Sequence, residues 1–421
     1  MPTAYNSRPY DIVVFGATGF TGTYTAEYLL GIGDKTIRWA LGGRSLAKLE
    51  KVKERLIKLD ESAKALDLLI ADTDDPLSLD TLLSKTRVII NLVGPFTKYG
   101  TPVVEACLRQ KTHYVDITGE YTWIRQIIKR FHEKAEAENI MIVPTCGFDS
   151  VPSDLGTFMV VEHLRKQHGL ATESVKMSVV DIFGGLAAGT IHSGLTVMSD
   201  RSITGPQSVD PYLLSSSRGQ AKPSLPWPHR DRDFHGLWQT FFIMSVVNEK
   251  IVMRSWDIQH KRGKDYGRLF TYHETQSMPF IQAMLFSVAF FVLLPLISLL
   301  TKSQFCLEKI QQMLPDSGTG PTPEERAKGY SSIEFLATAE TQPYEDPVQV
   351  RGIVKGFGDP GYSDTCRMVS ESALCIIKSL DTLPGKQGGI LTPATAFGNV
   401  LLDRLRINNG MLFEVKEVSN P

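Results

Sequence analysis

Tyr10-Asp11-Ile12-Val13-Val14-Phe15-Gly16-Ala17-Thr18-Gly19-Phe20-Thr21-Gly22 begins the regular pattern of the chain, and about twenty residues later comes Ala40-Leu41-Gly42-Gly43-Arg44-Ser45. Ile12 to Phe15 is a β-branched and aromatic run of the kind a buried strand requires, and three glycines follow it at three-residue spacing. Glycine at 16 permits a sharp turn out of the strand, while 19 and 22 let backbone approach a pyrophosphate and let the next helix pack closely. That helix, starting near Phe20, aims free N–H groups and its positive dipole end at the same place. The stretch predicts a dinucleotide site formed by Gly16, Thr18, Gly19, Phe20, Thr21 and Gly22. The end of the second strand distinguishes the dinucleotide. An NAD site usually carries Asp or Glu there to bind the ribose hydroxyls. Leu41, Gly42 and Gly43 offer no carboxylate, and Arg44-Ser45 follow. A guanidinium clamps a 2′-phosphate with two hydrogen bonds and a serine hydroxyl adds a third, so NADPH is the expected cofactor. The alternative is a surface arginine beside a serine that merely caps the next helix.

Length and composition bound the rest. At 421 residues, 42% of them hydrophobic, the chain is long enough for two domains with ample core. With 45 basic against 46 acidic residues it presents no excess charge for a polyanion, so no nucleic-acid partner is expected. Cys107, Cys146, Cys306, Cys366 and Cys375 form no CxxC pair, which disfavours zinc and a disulfide framework; no metal is expected, and a reducing compartment is. Few residues precede the first strand, so no signal or transit peptide is expected.

Residues 1–152 alternate short apolar runs with amphipathic stretches, predicting a doubly wound parallel α/β sheet of Rossmann type. Strands are predicted at 10–15, 36–42, 66–71, 87–93, 113–117 and 140–144, with helices at 20–31, 45–60, 76–85, 101–111 and 121–139. Ligands bind at the carboxyl edge of such sheets. Asp72 therefore falls where it can reach an adenine amino group, and Val93-Gly94-Pro95 where it meets the nicotinamide half. A solvated loop role for Asp72 is the alternative. After a helix to about Leu164, residues 153–355 predict an α+β substrate domain on a mostly antiparallel sheet. Its strands are expected at 174–184, 250–258, 267–274, 331–341 and 347–355, with a helical stretch at 188–202 and a polar loop at 203–235. Residues 356–421 predict helices at 362–379 and 394–406 plus a strand, packing back on the first domain.

Phe280 to Leu300 contains no charged residue, and a helix of that length spans about the thickness of a bilayer core. Pro295 would kink it, which suits insertion from one face rather than a clean crossing. Membrane or lipid-droplet contact is the expectation, on the cytoplasmic face, with a mitochondrial location as alternative; burial as a core helix, apolar on every face, is the competing reading. Self-association into a homodimer is left open.

The run Val93-Gly94-Pro95-Phe96-Thr97-Lys98-Tyr99-Gly100-Thr101-Pro102, then His113-Tyr114-Val115-Asp116-Ile117-Thr118-Gly119-Glu120, and Gly147-Phe148-Asp149-Ser150-Val151-Pro152-Ser153-Asp154 resemble the saccharopine dehydrogenase family, in its saccharopine dehydrogenase-like and trans-acting enoyl reductase branch. Gly388-Gly389-Ile390-Leu391-Thr392-Pro393 and the apolar segment resemble that branch too. The resemblance implies a Rossmann domain, a substrate domain and nicotinamide-dependent reduction, most specifically of a C=C bond in a lipid or polyketide-type acyl substrate, small or carrier-bound. Such a reduction needs an enolate stabiliser and a proton donor beside the nicotinamide. Tyr99, Asp149, Ser150 and His192 are the candidates whose placement fits, with Glu120 nearby. Asp149-Ser150 capping a helix, Glu120 capping the helix at 121, and a solvated His192 are the ordinary alternatives. An imine or amino-acid oxidoreductase would instead need arginines gathered to bind carboxylates, drawn from Arg201, Arg218, Arg230 and Arg232. A non-catalytic nucleotide-binding protein at a lipid surface is the third reading.

Overall fold

The structure, a computed structural model, describes residues 7–184, 207–222, 227–300, 303, 309, 320–342, 344–407 and 410–418. The first sheet has seven strands, all parallel. They are β1 (Tyr10–Phe15), β2 (Trp39–Gly43), β3 (Asp67–Ile70), β4 (Thr86–Asn91), β5 (His113–Asp116), β6 (Met141–Val143) and, from far along the chain, β13 (Gly389–Ile390). Their order is β13-β6-β5-β4-β1-β2-β3, so the sheet reverses direction of winding between β1 and β4. Successive side chains of β1 show why the strand reads as a continuous apolar run: Ile12 and Val14 enter one core, Val13 and Phe15 the other.

Helices α1 (Phe20–Ile32), α2 (Leu46–Leu59), α3 (Pro76–Leu83), α4 (Phe96–Gln110) and α5 (Tyr121–Ala137) connect these strands. α4 begins five residues before its predicted start, because Glu120 satisfies its first N–H groups from across the edge. α6 (Val151–His163) then leads to the second sheet. That sheet comprises β7 (Thr172–Phe183), β8 (His229–Arg230), β9 (Trp238–Phe241), β10 (Thr271–Met278), β11 (Tyr330–Ala339), β12 (Gln349–Gly356) and β14 (Met411–Glu417), in the order β14-β12-β11-β7-β10-β9-β8. It is antiparallel apart from the β7–β10 pair.

The expected strand at 250–258 is instead the middle of helix α7 (Ser245–Lys261). Nearly all of α7 is buried, charged residues included, so its apolar run reflects enclosure on all sides rather than a pleat. The predicted helix at 188–202 lies outside the described residues. The 203–235 stretch is not all solvated loop: Tyr212, Leu213 and Leu214 enter the core.

Phe280–Leu300 forms one helix, α8. It is neither an enclosed core helix nor free of the fold. Phe280 and Phe290 pack on Trp238 and Phe241 of β9, and Ser287 bonds Thr240, while Ile281, Leu285, Val288, Val292 and Leu299 are exposed on the outside. Among the described residues no helix is long and apolar enough to cross a membrane; the side chain of Pro295 lies outside them.

Behind α9 (Pro323–Ala327), the chain returns through α10 (Thr365–Ser379), α11 (Pro393–Phe397) and α12 (Asn399–Arg406). α10 packs on α1, β4 and β5, covering one face of the first sheet. The last segment is therefore shared: α10 and β13 belong with the first sheet, β14 with the second.

Candidate active site

Gly16 leaves β1 at φ +86°, and a Cβ there would lie 2.9 Å from the Leu92 carbonyl carbon and 3.0 Å from Val93 Cγ2. A Cβ at Gly22 would lie 2.2 Å from the Gly16 carbonyl oxygen. The two glycines thus let the turn, the β4 loop and α1 converge on one spot. Gly19 stands at the N-cap of α1 with no side-chain cap, and the first turn carries no acidic residue, which leaves N–H groups for an anion. Thr18 and Thr21 flank this turn half-exposed. Phe20 contributes its backbone only: its ring is engaged edge-on by Tyr24 and Tyr362, each 4.9 Å away, and packs against Gly320. The cradle fits a dinucleotide pyrophosphate, since side chains at 16 or 22 would fill it.

Beyond β2, Arg44 is exposed, and Ser45 occupies the N-cap position of α2 without making a capping bond, contrary to the alternative considered for it. Lys98 joins this corner. The Tyr99 hydroxyl beside it holds its ammonium above the usual range, and Asp74 and Arg44 lie close enough to act on its charge. Lys98 sits 4.8 Å over the Tyr99 ring, so Tyr99 neighbours the cation that adjoins Arg44. Asp72, after β3, accepts from the Asp74 N–H and closes its own loop, so half of its carboxylate is spent on structure.

A buried polar chain runs beneath the carboxyl edge. Asn91 accepts from Val93 N–H and donates to Tyr114, whose hydroxyl donates to Asp116. Asp116 also accepts from the Thr118 and Thr145 N–H groups, and burial pushes its carboxyl up to about 7. Thr145 holds φ +62°, a strained conformation for a β-branched residue that this bond helps to fix. Glu120 caps α4 rather than α5, accepting from Phe96 and Thr97 N–H. Val93-Gly94-Pro95 forms the rim, where a Cβ on Gly94 would meet only the Phe96 ring, leaving open space above it.

Where this edge meets the second sheet, titratable groups gather. Asp149 is half-buried, Gly119 is close to its Oδ2, and burial pushes its carboxyl up to about 6. Ser150 caps nothing; its hydroxyl donates to Asn248 Oδ1 at 3.0 Å. Asn248 donates to Glu274 at 2.7 Å, and Tyr272 donates to the other Glu274 oxygen. Burial raises Glu274 to about 7 and, with Glu274 as a like-charged neighbour, Glu249 to about 8. Lys250 is 2% exposed, and burial lowers its ammonium to about 8. It donates to Val246 O and lies 4.7 Å over the Tyr121 ring, joining α7 to the start of α5. Glu249 and Lys250 escape a sequence reading because they sit inside an apolar run, where surviving charges are the signal that could have marked them; Glu274, in the polar stretch 271–277, carries no such signal. His192 lies outside the described residues.

The arginines considered for carboxylate binding do not converge among the described residues: Arg218 pairs with Asp210, and Arg230 donates to Gly236 O. One ligating cluster arises where no metal was expected. The π-helical turn after α6 brings His163 and His168 beside Glu417, three ligating atoms within 4.8 Å of one another on the surface.

The saccharopine dehydrogenase NADP binding domain family matches residues 12–143. Across 94% of this chain and 96% of the relative, the sequence is 36% identical to a putative trans-acting enoyl reductase of Mycobacterium tuberculosis. The chain belongs to the saccharopine dehydrogenase family. A trans-acting enoyl reductase of Mycobacterium leprae is 33% identical over 95% of this chain and 96% of its own. Apo saccharopine dehydrogenase (L-Glu forming) of Saccharomyces cerevisiae shares the fold, with TM-score 0.55 and 12% identity, covering 97% of this chain and 100% of that one. As a member of this family the chain is an oxidoreductase whose cofactor is NADP(H).

Proposed function

We propose that this family member is an NADPH-dependent enoyl reductase, reducing an α,β-unsaturated acyl group of lipid or polyketide type. The observation that carries the reading is that Asp149, beside Gly119, and buried Lys250, over the Tyr121 ring, both border the loop after β5 at the carboxyl edge, where Gly94 leaves open space. The mycobacterial relatives named as trans-acting enoyl reductases support it across their whole length. Gly16, Gly19, Gly22 and the start of α1 would hold the pyrophosphate, with Arg44, Ser45 and Lys98 on the 2′-phosphate. NADPH held there would supply the hydride for the substrate β-carbon, leaving the electron pair of the C=C bond on the acyl group as an enolate. Lys250 stabilises that enolate oxygen and gives up its proton to the α-carbon, and Asp149 returns a proton to it from solvent. In this division residues 1–152 hold the nucleotide and 153–355 the acyl group.

NADPH consumption by the purified protein, followed across enoyl thioesters and cyclic imines, tests the assignment. Turnover of enoyl thioesters alone is expected. Turnover of imines alone would move the protein to the amino-acid side of its family. NADPH binding without any turnover would leave a nucleotide-binding scaffold.

The exposed stripe of α8 favours a lipid surface as a second ligand. Its apolar outer face lies along one side of a helix that is anchored by the other side to β9, which suits contact in the plane of a membrane or lipid droplet rather than a crossing. Flotation with liposomes tests it, and protein that stays with the soluble fraction defeats it.

A further inference from the structure

We propose that the cavity between α5 and α7 binds the phosphate of a phosphate ester, at a site separate from the nucleotide. The cavity, about 340 Å³, is lined from α5 by Arg125, Lys129 and His132, and from α7 by Arg254, Lys261 and Arg262. Both sets recur at helical spacing, so two cationic stripes face each other. Two carboxylates also line it. Asp257 is already occupied by Ser216 and Ser217, and Glu136 lies 3.8 Å from His132 Nε2. Among the described residues Arg125, Lys129, Arg254 and Arg262 make no ion pair.

Arg254 is the decisive group. It is 4% exposed, and its guanidinium is held by the carbonyls of Leu214 (2.7 Å) and Ile390, while Nε has no partner among the described residues. A buried cation held by two carbonyls and the His132 ring, with no carboxylate in ion-pair contact among the described residues, keeps much of its desolvation cost, which an anion in the cavity would offset. His132 Nδ1 accepts from Ile390 N–H, so its neutral ring carries the proton on Nε2 and offers another donor.

Position separates this site from the adenosine corner and relates it to the reacting edge. α5 packs on β13, and the sheet order puts β13 five strands from β2 and Arg44, about 24 Å at the usual strand spacing. Lys250 and Tyr121 meet at the near ends of α7 and α5, and Ile258 and Lys129 lie about 12 Å further along each helix. An extended pantetheine arm spans that interval, so a thioester carried on phosphopantetheine could place its phosphate here and its acyl group at the edge. That last assignment rests on the enoyl reductase reading; the anion site does not.

The test titrates coenzyme A and, separately, inorganic pyrophosphate into full-length protein saturated with NADP+, using calorimetry. Coenzyme A is expected to bind, about tenfold more weakly to the K129M/R262M variant and unchanged by Arg44→Ala. NADP+ affinity and melting temperature of the double variant serve as its folding control. Pyrophosphate binding as tightly as coenzyme A, and lost in the same variant, would uphold the anion site and overturn the pantetheine assignment. Binding that survives K129M/R262M, or no binding of either probe, overturns the site. With an enoyl thioester of coenzyme A, the double variant should raise KM and leave kcat. No turnover at all, with coenzyme A binding still lost in the variant, would reject the enoyl reductase reading and retain the site.

Discussion

Arg44 and Lys250 answer different questions about the same reaction, and each can be isolated. Arg44 is exposed and bonded to no other described residue, so removing it disturbs no packing. Arg44→Ala should weaken NADPH by about 1.5–3 kcal/mol for a lost charge-assisted contact and leave NADH nearly unchanged, as read by titration calorimetry. Equal losses for both cofactors would place Arg44 away from the 2′-phosphate. Lys250 is buried, and its role is tested by pH. A donor must be protonated, so kcat should fall as pH rises through about 8, where burial has brought its ammonium. Lys250→Met should lower kcat by about a hundredfold or more and abolish that limb, while NADPH affinity is kept. A variant retaining the limb would shift the role to Glu249, which burial raises to about 8. Of this site, the glycine cradle was legible because backbone geometry dictates its residue type. Lys250, Glu249 and Glu274 were not, because what sets them apart is enclosure by distant segments.

At the scale of elements the first sheet was legible almost strand by strand. Each of its strands is local, apolar and bounded by turn residues, so pattern and fold agree. β13 was not, since Gly389-Ile390 is a strand only by virtue of β6 beside it. α7 was misread for a related reason: Ile251-Val252-Met253 carries strand propensity, yet enclosure between α6 and β10 decides the helix. α8 was legible as a helix and its surroundings were not, because an all-apolar sequence gives no sign of which side is covered. The covered side is now separable from the open one. Replacing Ile281, Leu285 and Val292 with serine should abolish liposome flotation and shift stability by no more than about 0.5 kcal/mol per position, as expected for exposed positions. Phe290→Ser, on the β9 side, should destabilise by about 3 kcal/mol in denaturant titration. Unfolding by the first set would show that the outer face is covered in the native protein.

Across the whole molecule, burial of carboxyl groups at the junction of the two sheets sets how stability responds to pH. Asp116 and Asp154 are raised by burial to about 7, Glu274 to about 7 and Glu249 to about 8. In the unfolded chain each returns to about 4. Over the interval between, the folded state binds the proton and the unfolded state does not, so stability falls as pH rises, by at most about 1.4 kcal/mol per unit for each group. The contribution is complete below about pH 4 and lost above the folded values. Buried His113 and His132 act oppositely. Burial lowers them to about 3 and about 4, so they cost stability as pH falls below about 6.5, where the unfolded imidazoles take up protons. Lys250, lowered to about 8, is protonated in both states below that value and is silent there. Between about pH 5 and 6.5 the four carboxyls outweigh the two histidines, and above 6.5 the histidines fall silent, so stability should decline as pH rises, most plainly from pH 6.5 to pH 8. Chemical denaturation at these two pH values measures the slope, and Glu274→Gln should flatten it, because the amide oxygen still accepts from Asn248 and the amide N–H can donate to the Tyr272 hydroxyl, while one titrating group is gone. A stability that climbs from pH 6.5 to 8, or a slope that Glu274→Gln and Glu249→Gln leave intact, would mean that these carboxyls are ionised in the folded protein, and that the junction of the sheets is open to water rather than the enclosed, proton-holding site that reduction at its edge requires.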